Sequence, residues 1–273
     1  MIEVLKEQFT TSMSREDKEN RLREFLQILI LKVFHDKGWF ENLAFVGGTA
    51  LRILFNTRRF SEDLDFSLVN SAGYDFKKLC DQLHKEIELH GLKMEKTLKE
   101  AGAVNNVVLK FPGLLNSLGI SPLPGQKLSI KLEVDTNPPA GGKIENSLVN
   151  KTYVFYVRHF DLSSMFAAKI SACFYRPYLK GRDFYDLIWY LARKVEPDYE
   201  LLNNAIRQTQ GKAPGVNAQN IKEFLLKNLK KTDLKKAAAD VERFLDDKSE
   251  LKLFNYELIK NSVESVFRQG NHA

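Results

Sequence analysis

Leu22, Phe25, Leu26, Leu29, Ile30, Val33 and Phe34 recur at intervals of three and four residues, which predicts an amphipathic helix stopped by Gly38. Ser14 followed by Asp17 is a capping-type start, with Asp in place of the preferred Glu. Beyond Gly38 the pattern changes. Leu43 to Val46 reads as a short buried strand, Gly47 and Gly48 turn it into a helix from Ala50 to Phe55, and Asp63 to Leu68 reads as a second strand. Asp75 to His90 suits a helix ended by Gly91, and "LKMEKTLKE" with "VNNVVLKF" suits a strand pair across Ala101 and Gly102. "PGLLNSLGISPLPGQ" is a Pro/Gly-rich surface loop with one short helical turn. In "KLSIKLEVDTN" the alternation is clean: Leu128, Ile130, Leu132 and Val134 share one face, and Ser129, Lys131, Glu133 and Asp135 the other. "TYVFYVRHF" supplies one more strand.

From Asp161 on, helical spacing dominates, with helices expected over 163–174, 183–193, 199–208, 218–228, 233–246 and 256–267. The pattern therefore predicts an α+β fold: an αβ domain over residues 1–160 and a helical domain over 161–273.

Composition changes this picture little. The chain has 273 residues, 44% of them hydrophobic and 28% charged, which is ordinary for a globular protein with ample core. The longest apolar run, "FLQILILKVF", is broken by Gln27 and Lys32 and is too short to span a bilayer. "MIEVLKEQFT" lacks the pattern of a secretory signal, and Cys80 and Cys173 offer neither a disulfide framework nor zinc-ligand spacing. A reducing cytoplasm is the expected location. The formal charge of +6 suits a nucleic-acid partner but suits a merely soluble protein as well.

The chemistry concentrates in "FVGGTALRILFNTRRFSEDLDFSL". On a strand, Asp63 and Asp65 project together while Leu64 and Phe66 pack the other way. Two ionised carboxylates so close call for a cation, and magnesium, a hard ion held by one or two carboxylates plus phosphate oxygens, is the natural candidate. Glu133 joins them if its strand lies alongside. Gly47 and Gly48 let a phosphate approach the backbone at a helix N-terminus, Thr49 could add a hydroxyl, and Arg52, Arg58 and Arg59 could neutralise phosphate charge. Each motif alone is more often structural, as a D-x-D pair on a solvated strand or a Gly-Gly turn, and a glycosyltransferase D-x-D, which also binds a metal-chelated nucleotide, needs no Gly-Gly turn upstream. The order strand, Gly-Gly, helix, strand, D-L-D is more specific than either half.

A second group lies in "SSMFAAKISACFYRPYLKGRDFYDLIWYL". Lys169 among Phe166, Ala167, Ala168 and Ile170 either snorkels outward or meets an anion. Asp183 and Asp186 open the next helix, where an acid at Asp183 is better read, in isolation, as complementing the helix dipole, and Arg176, Lys180 and Arg182 form a basic loop better read, in isolation, as a solvated turn.

Taken together, "FVGGTALRILFNTRRFSEDLDFSL", "IKLEV" and "AAKISACFYRPYLKGRDFYDLIWYL" resemble the AbiEii/AbiGii family of nucleotidyltransferase-like toxins, including the MenT-type toxins, over most of residues 40–195. The resemblance implies a polymerase-β-like nucleotidyltransferase sheet with flanking helices, followed by a helical domain that contributes to the active-site cleft. By position it places the glycine turn on Gly47 and Gly48 with Thr49 beside it, metal-binding acids on Asp63 and Asp65, the strand acid on Glu133, and the later lysine and aspartate on Lys169 and Asp183. The wider superfamily usually has Gly-Ser at the turn, so Thr49 is a departure. The implied activity is a toxin's, in a toxin–antitoxin or phage-defence system: transfer of a nucleotide from a nucleoside triphosphate to an acceptor hydroxyl, tRNA being the expected acceptor, with magnesium as cofactor and a cognate antitoxin as partner. Transfer to a protein or small molecule, or nucleotide binding without turnover, are the other readings. The lysines of "FLLKNLKKTDLKKAAAD" suit an RNA backbone or a solvated helix face.

Overall fold

A computed structural model describes residues 5, 6, 9, 10 and 12–268. The chain forms two compact units, Met1–Phe55, Phe60–Asn137 and Asn146–His159 in the first, and Asn56–Arg59, Pro138–Glu145 and Phe160–Ala273 in the second.

In the first unit, helix α1 (Arg15–Asp36) begins with a full capping box, in which Ser14 and Asp17 satisfy each other's backbone N–H. Its apolar stripe is wider than one face, and Phe25, Leu26, Leu29, Ile30 and Phe34 are all buried. Strand β1 (Leu43–Val46), helix α2 (Gly47–Phe55), strand β2 (Leu64–Leu68) and helix α3 (Phe76–Leu89) follow, then β3 (Glu95–Ala101), β4 (Val104–Pro112), the short α4 (Leu114–Ser117) and β5 (Lys127–Asp135). β6 (Ile144–Asn150) and β7 (Val154–Phe160) complete a seven-stranded sheet in the order β3-β4-β5-β2-β1-β7-β6. The sheet is mixed: β1 runs antiparallel to β2 but parallel to β7, and β2 parallel to β5. One face packs on α1, where Phe66 of β2 meets Phe34 at 5.1 Å and Phe45 of β1 at 5.3 Å between ring centroids. Burying each such side chain contributes roughly 1.5–3 kcal/mol.

β6 is the element the pattern analysis does not predict. Of its residues only Val149 is buried, and Ile144 and Leu148 stay exposed, so the alternation of a half-buried strand is missing.

The second unit is helical: α5 (Leu162–Tyr175), α6 (Gly181–Ala192), α7 (Tyr199–Gln210), α8 (Ile221–Leu229), α9 (Leu234–Val241) and α10 (Tyr256–Val266). Helix α6 starts where Gly181 lies against the Ala237 carbonyl of α9, so close that a Cβ would collide with backbone. Its N–H donates to Asp240 at 2.7 Å. The helix expected over 233–246 is split, with α9 passing into a 3₁₀ turn at Glu242–Phe244. Among the described residues no helix is long and apolar enough to cross a membrane.

Candidate active site

The pairing of three strands assembles the first constellation. In the β1–β2 ladder Val46 lies opposite Asp65, and in the parallel β2–β5 ladder Asp65 lies opposite Glu133. Side chains of paired residues share a face, so Asp65 and Glu133 stand side by side, with Lys131 two residues earlier on β5. The strand expected from Asp63 begins one residue later, at Leu64, so Asp63 sits just ahead of β2. Leu64, Phe66, Leu132 and Val134 point the other way and are buried, while Asp63, Asp65, Lys131 and Glu133 are partly exposed. The Lys131 ammonium meets Glu133 Oε1 at 2.6 Å. Partial burial alone would lower its pKa, but the hydrogen bond to Glu133 and attraction to Glu133, Asp63 and Asp65 raise it above the ordinary lysine value. The acid face therefore attracts cations.

Gly47 starts α2 directly above this row. Its φ of +79° is a left-handed conformation, and a Cβ there would stand 2.5 Å from Asp65 Oδ2. Only glycine suits both the backbone and the neighbouring acid. Gly48 is buried in the first turn. Thr49 is fully buried, and its hydroxyl donates to the backbone carbonyl of Asp63. The hydroxyl that could add a phosphate contact thus fixes the chain that enters β2. Gln27 of α1, 1% exposed, does the same one step earlier, donating at 3.0 Å to both the Ser61 and the Glu62 carbonyls. Sequence reasoning missed this residue; its signal was a lone amide inside the apolar stripe of a helix.

The arginines divide. Arg52 bonds Glu24 at 2.9 Å and stacks on the Phe60 ring at 4.3 Å. Arg58 faces Glu250 at 3.4 Å with a 69% exposed side chain. Arg59, grouped with these as a phosphate neutraliser, is instead buried in the helical unit. Its Nε and Nη2 donate to the two carboxylate oxygens of Asp186 at 2.7 and 2.5 Å.

Around that pair lies the second constellation. Asp183 and Asp186, three apart, share one face of α6. The Lys169 ammonium on α5 bridges them at 2.7 and 2.9 Å, and Arg176 pairs with Asp183. Burial alone would lower the Lys169 pKa, but Asp183 and Asp186 raise it well above the ordinary value. Burial would likewise raise Asp183, and Lys169 and Arg176 hold it below the usual carboxylate range instead. Lys169 thus meets anions of its own chain rather than snorkelling. Cys173, a free cysteine, has its thiol pushed well up by burial beside this cluster.

A divalent metal is the usual companion of nucleotidyl transfer. Among the described residues no three His, Cys, Asp or Glu side chains gather tightly enough to hold an ion by themselves. Magnesium needs only one or two carboxylates when phosphate oxygens complete its shell, and the hard oxygens of Asp63 and Asp65 on a cation-attracting face fit that chemistry.

The mixed sheet with flanking helices thus sets Asp65 of β2 beside Glu133 of β5, with Asp63 just ahead of β2. The chain belongs to the family described as nucleotidyl transferase AbiEii toxin of type IV toxin–antitoxin systems, whose model matches residues 29–267. It is accordingly a nucleotidyltransferase toxin, and the family implies a nucleoside triphosphate donor and a cognate antitoxin. Among solved structures it is similar to JHP933 from Helicobacter pylori (18% identity, TM-score 0.60, 92% of each chain covered). It is also similar to an H. pylori protein provisionally assigned as a nucleotidyltransferase (20% identity, TM-score 0.58, 92% of this chain and 97% of that one). At such identities these share the fold. No curated protein matches the chain.

Proposed function

We propose that the protein transfers a nucleotide from a nucleoside triphosphate to a hydroxyl of tRNA, with magnesium, as the cytoplasmic toxin of a toxin–antitoxin or phage-defence pair. The observation that carries this reading is the register that sets Asp65 beside Glu133 under Gly47. Asp63 and Asp65 would hold magnesium, which when bound offsets triphosphate charge and polarises the α-phosphate. Gly47 and Gly48 leave the first turn of α2 open to the phosphate chain, and Gln27 and Thr49 keep the two acids in place. The acceptor oxygen attacks the α-phosphorus while its proton passes to Glu133. The bond to the bridging oxygen breaks and pyrophosphate leaves. Arg52, held by Glu24 and the Phe60 ring, adds positive charge for the phosphates. Within the helical unit Lys169, ordered by Asp183 and Asp186, is the cation that the family resemblance assigns to the phosphates or the leaving group.

Incubating the purified protein with total RNA, magnesium and each α-labelled nucleoside triphosphate in turn tests this. Label in tRNA-sized RNA with one or more nucleotides is expected. Label only in protein or in a small molecule would move the acceptor to those classes.

A further inference from the structure

The acid face of the sheet does not end at β2. Phe45 of β1 lies opposite His159 of β7, so the buried faces of those strands coincide, and residues of the other parity on β7 project on the same side as Asp65 and Glu133. Those residues are Val154, Tyr156, Arg158 and, at the end of the strand, the buried Phe160. The core side is confirmed by Phe155, Val157 and His159, all buried. At the β6–β7 hairpin, the Lys151 N–H donates to the Tyr153 carbonyl and the Asp161 N–H to the Lys143 carbonyl, which sets Leu148 opposite Tyr156 and Asn150 opposite Val154.

The result is a shelf at the open end of the catalytic sheet. Tyr156 is 58% exposed, Val154 62% and Leu148 51%, and Asn146 and Asn150 on the same face are exposed too. A contiguous apolar group of this kind on a sheet face marks a contact surface. Its chemistry narrows the occupant. Tyr156 offers a flat ring, the two asparagines offer donors and acceptors, Arg158 offers positive charge, and no carboxylate from β6 or β7 projects on that face. A protein partner would call for a larger apolar area; a flexible nucleic-acid strand calls for a ring, amides and a cation on one face. Two strand spacings across the sheet and four residues along it put Tyr156 roughly 15–17 Å from Asp65, a span of two to three nucleotides.

We propose that the β6–β7 shelf binds the single-stranded end of the acceptor RNA, with a base stacked on Tyr156 and the terminal hydroxyl led along the same face toward Asp63, Asp65 and Glu133. This rests on the RNA-acceptor reading above.

The test uses the full chain, unfractionated tRNA as the probe, and the variants Tyr156→Ala and Tyr156→Phe. Because Tyr156 is exposed, both are expected to keep the wild-type melting temperature. Tyr156→Ala should weaken tRNA binding and raise the KM for tRNA about tenfold, the usual scale for one stacked base. Its kcat and its KM for the nucleoside triphosphate should not change, and Tyr156→Phe should behave as wild type. Wild-type tRNA affinity and KM in Tyr156→Ala would overturn the shelf and leave the acceptor reading standing. A wild-type protein that neither binds nor labels tRNA would overturn both. A change of oligomeric state in Tyr156→Ala, with tRNA kinetics intact, would assign the shelf to contact between copies and overturn its RNA role.

Discussion

Asp65 and Gly47 form the tightest constraint in the site, because the glycine's missing side chain is the space that the acid occupies. Gly47→Ala should cost about 1–2 kcal/mol of stability from the left-handed backbone. It should lower transfer about 100-fold or more, since displacing a reacting group by an ångström has that effect. Rate and melting temperature measured together separate the two. In the helical unit, replacing Lys169 by Met leaves Asp183 and Asp186, 4% and 0% exposed, short of a shared cation. A loss of about 3–5 kcal/mol is expected by urea unfolding; a loss under about 1 kcal/mol would contradict the ion cluster. The same cluster fixes a pH response. Asp183 titrates below its unfolded value, so its contribution is present above about pH 4 and is lost as pH falls through the depressed folded value. Lys169 titrates above its unfolded value, so its contribution is present below about pH 10 and is lost only as pH rises through the raised one. Unfolding curves should therefore show no step from this cluster between about pH 5 and 9 and a decline in acid.

At the scale of elements, the site depends on how the chain enters β2. Gln27 and Thr49 hold three successive carbonyls, those of Ser61, Glu62 and Asp63. Gln27→Leu keeps the size of the side chain but strips two half-buried acceptors of their donor, at about 0.5–1.5 kcal/mol. Transfer should fall by more than stability explains, because the two residues that lead into Asp63 lose their anchor; an unchanged rate in the folded variant would show that Thr49 and β2 position the acids without it. The strands that build the site were legible because β1, β2 and β5 alternate or bury cleanly against α1. β6 was not, because an edge strand with an exposed face carries almost no burial signal. Arg59 was misread for a different reason. Its partner lies 127 residues away, and near a glycine turn an arginine that will be buried looks the same as one that will meet phosphate.

For the whole molecule, the sequence pattern separates strands from helices near residue 160, whereas the compact units interleave. Asn56–Arg59 and Pro138–Glu145 group with the helices that follow. Local periodicity cannot report such exchanges, since they are set by contacts between distant segments. The paired acids, by contrast, needed only the period of a strand, and Glu133 only the alternation of its own. The charge of +6 also acts at this scale. If the acceptor is RNA, its affinity should fall linearly with the logarithm of salt concentration, whereas a small-molecule acceptor would show little dependence.

Asp63 and Asp65 are the acids proposed to carry nucleotidyl transfer. The most direct measurement is the rate of pyrophosphate release and of label transfer by Asp63→Asn and Asp65→Asn beside the wild type, with melting curves for all three. Each variant is expected to melt at or above the wild-type temperature, relieved of a like-charge neighbour, and to lose transfer by about 1,000-fold or more. A folded Asp65→Asn that still transfers within tenfold of wild type would contradict the account.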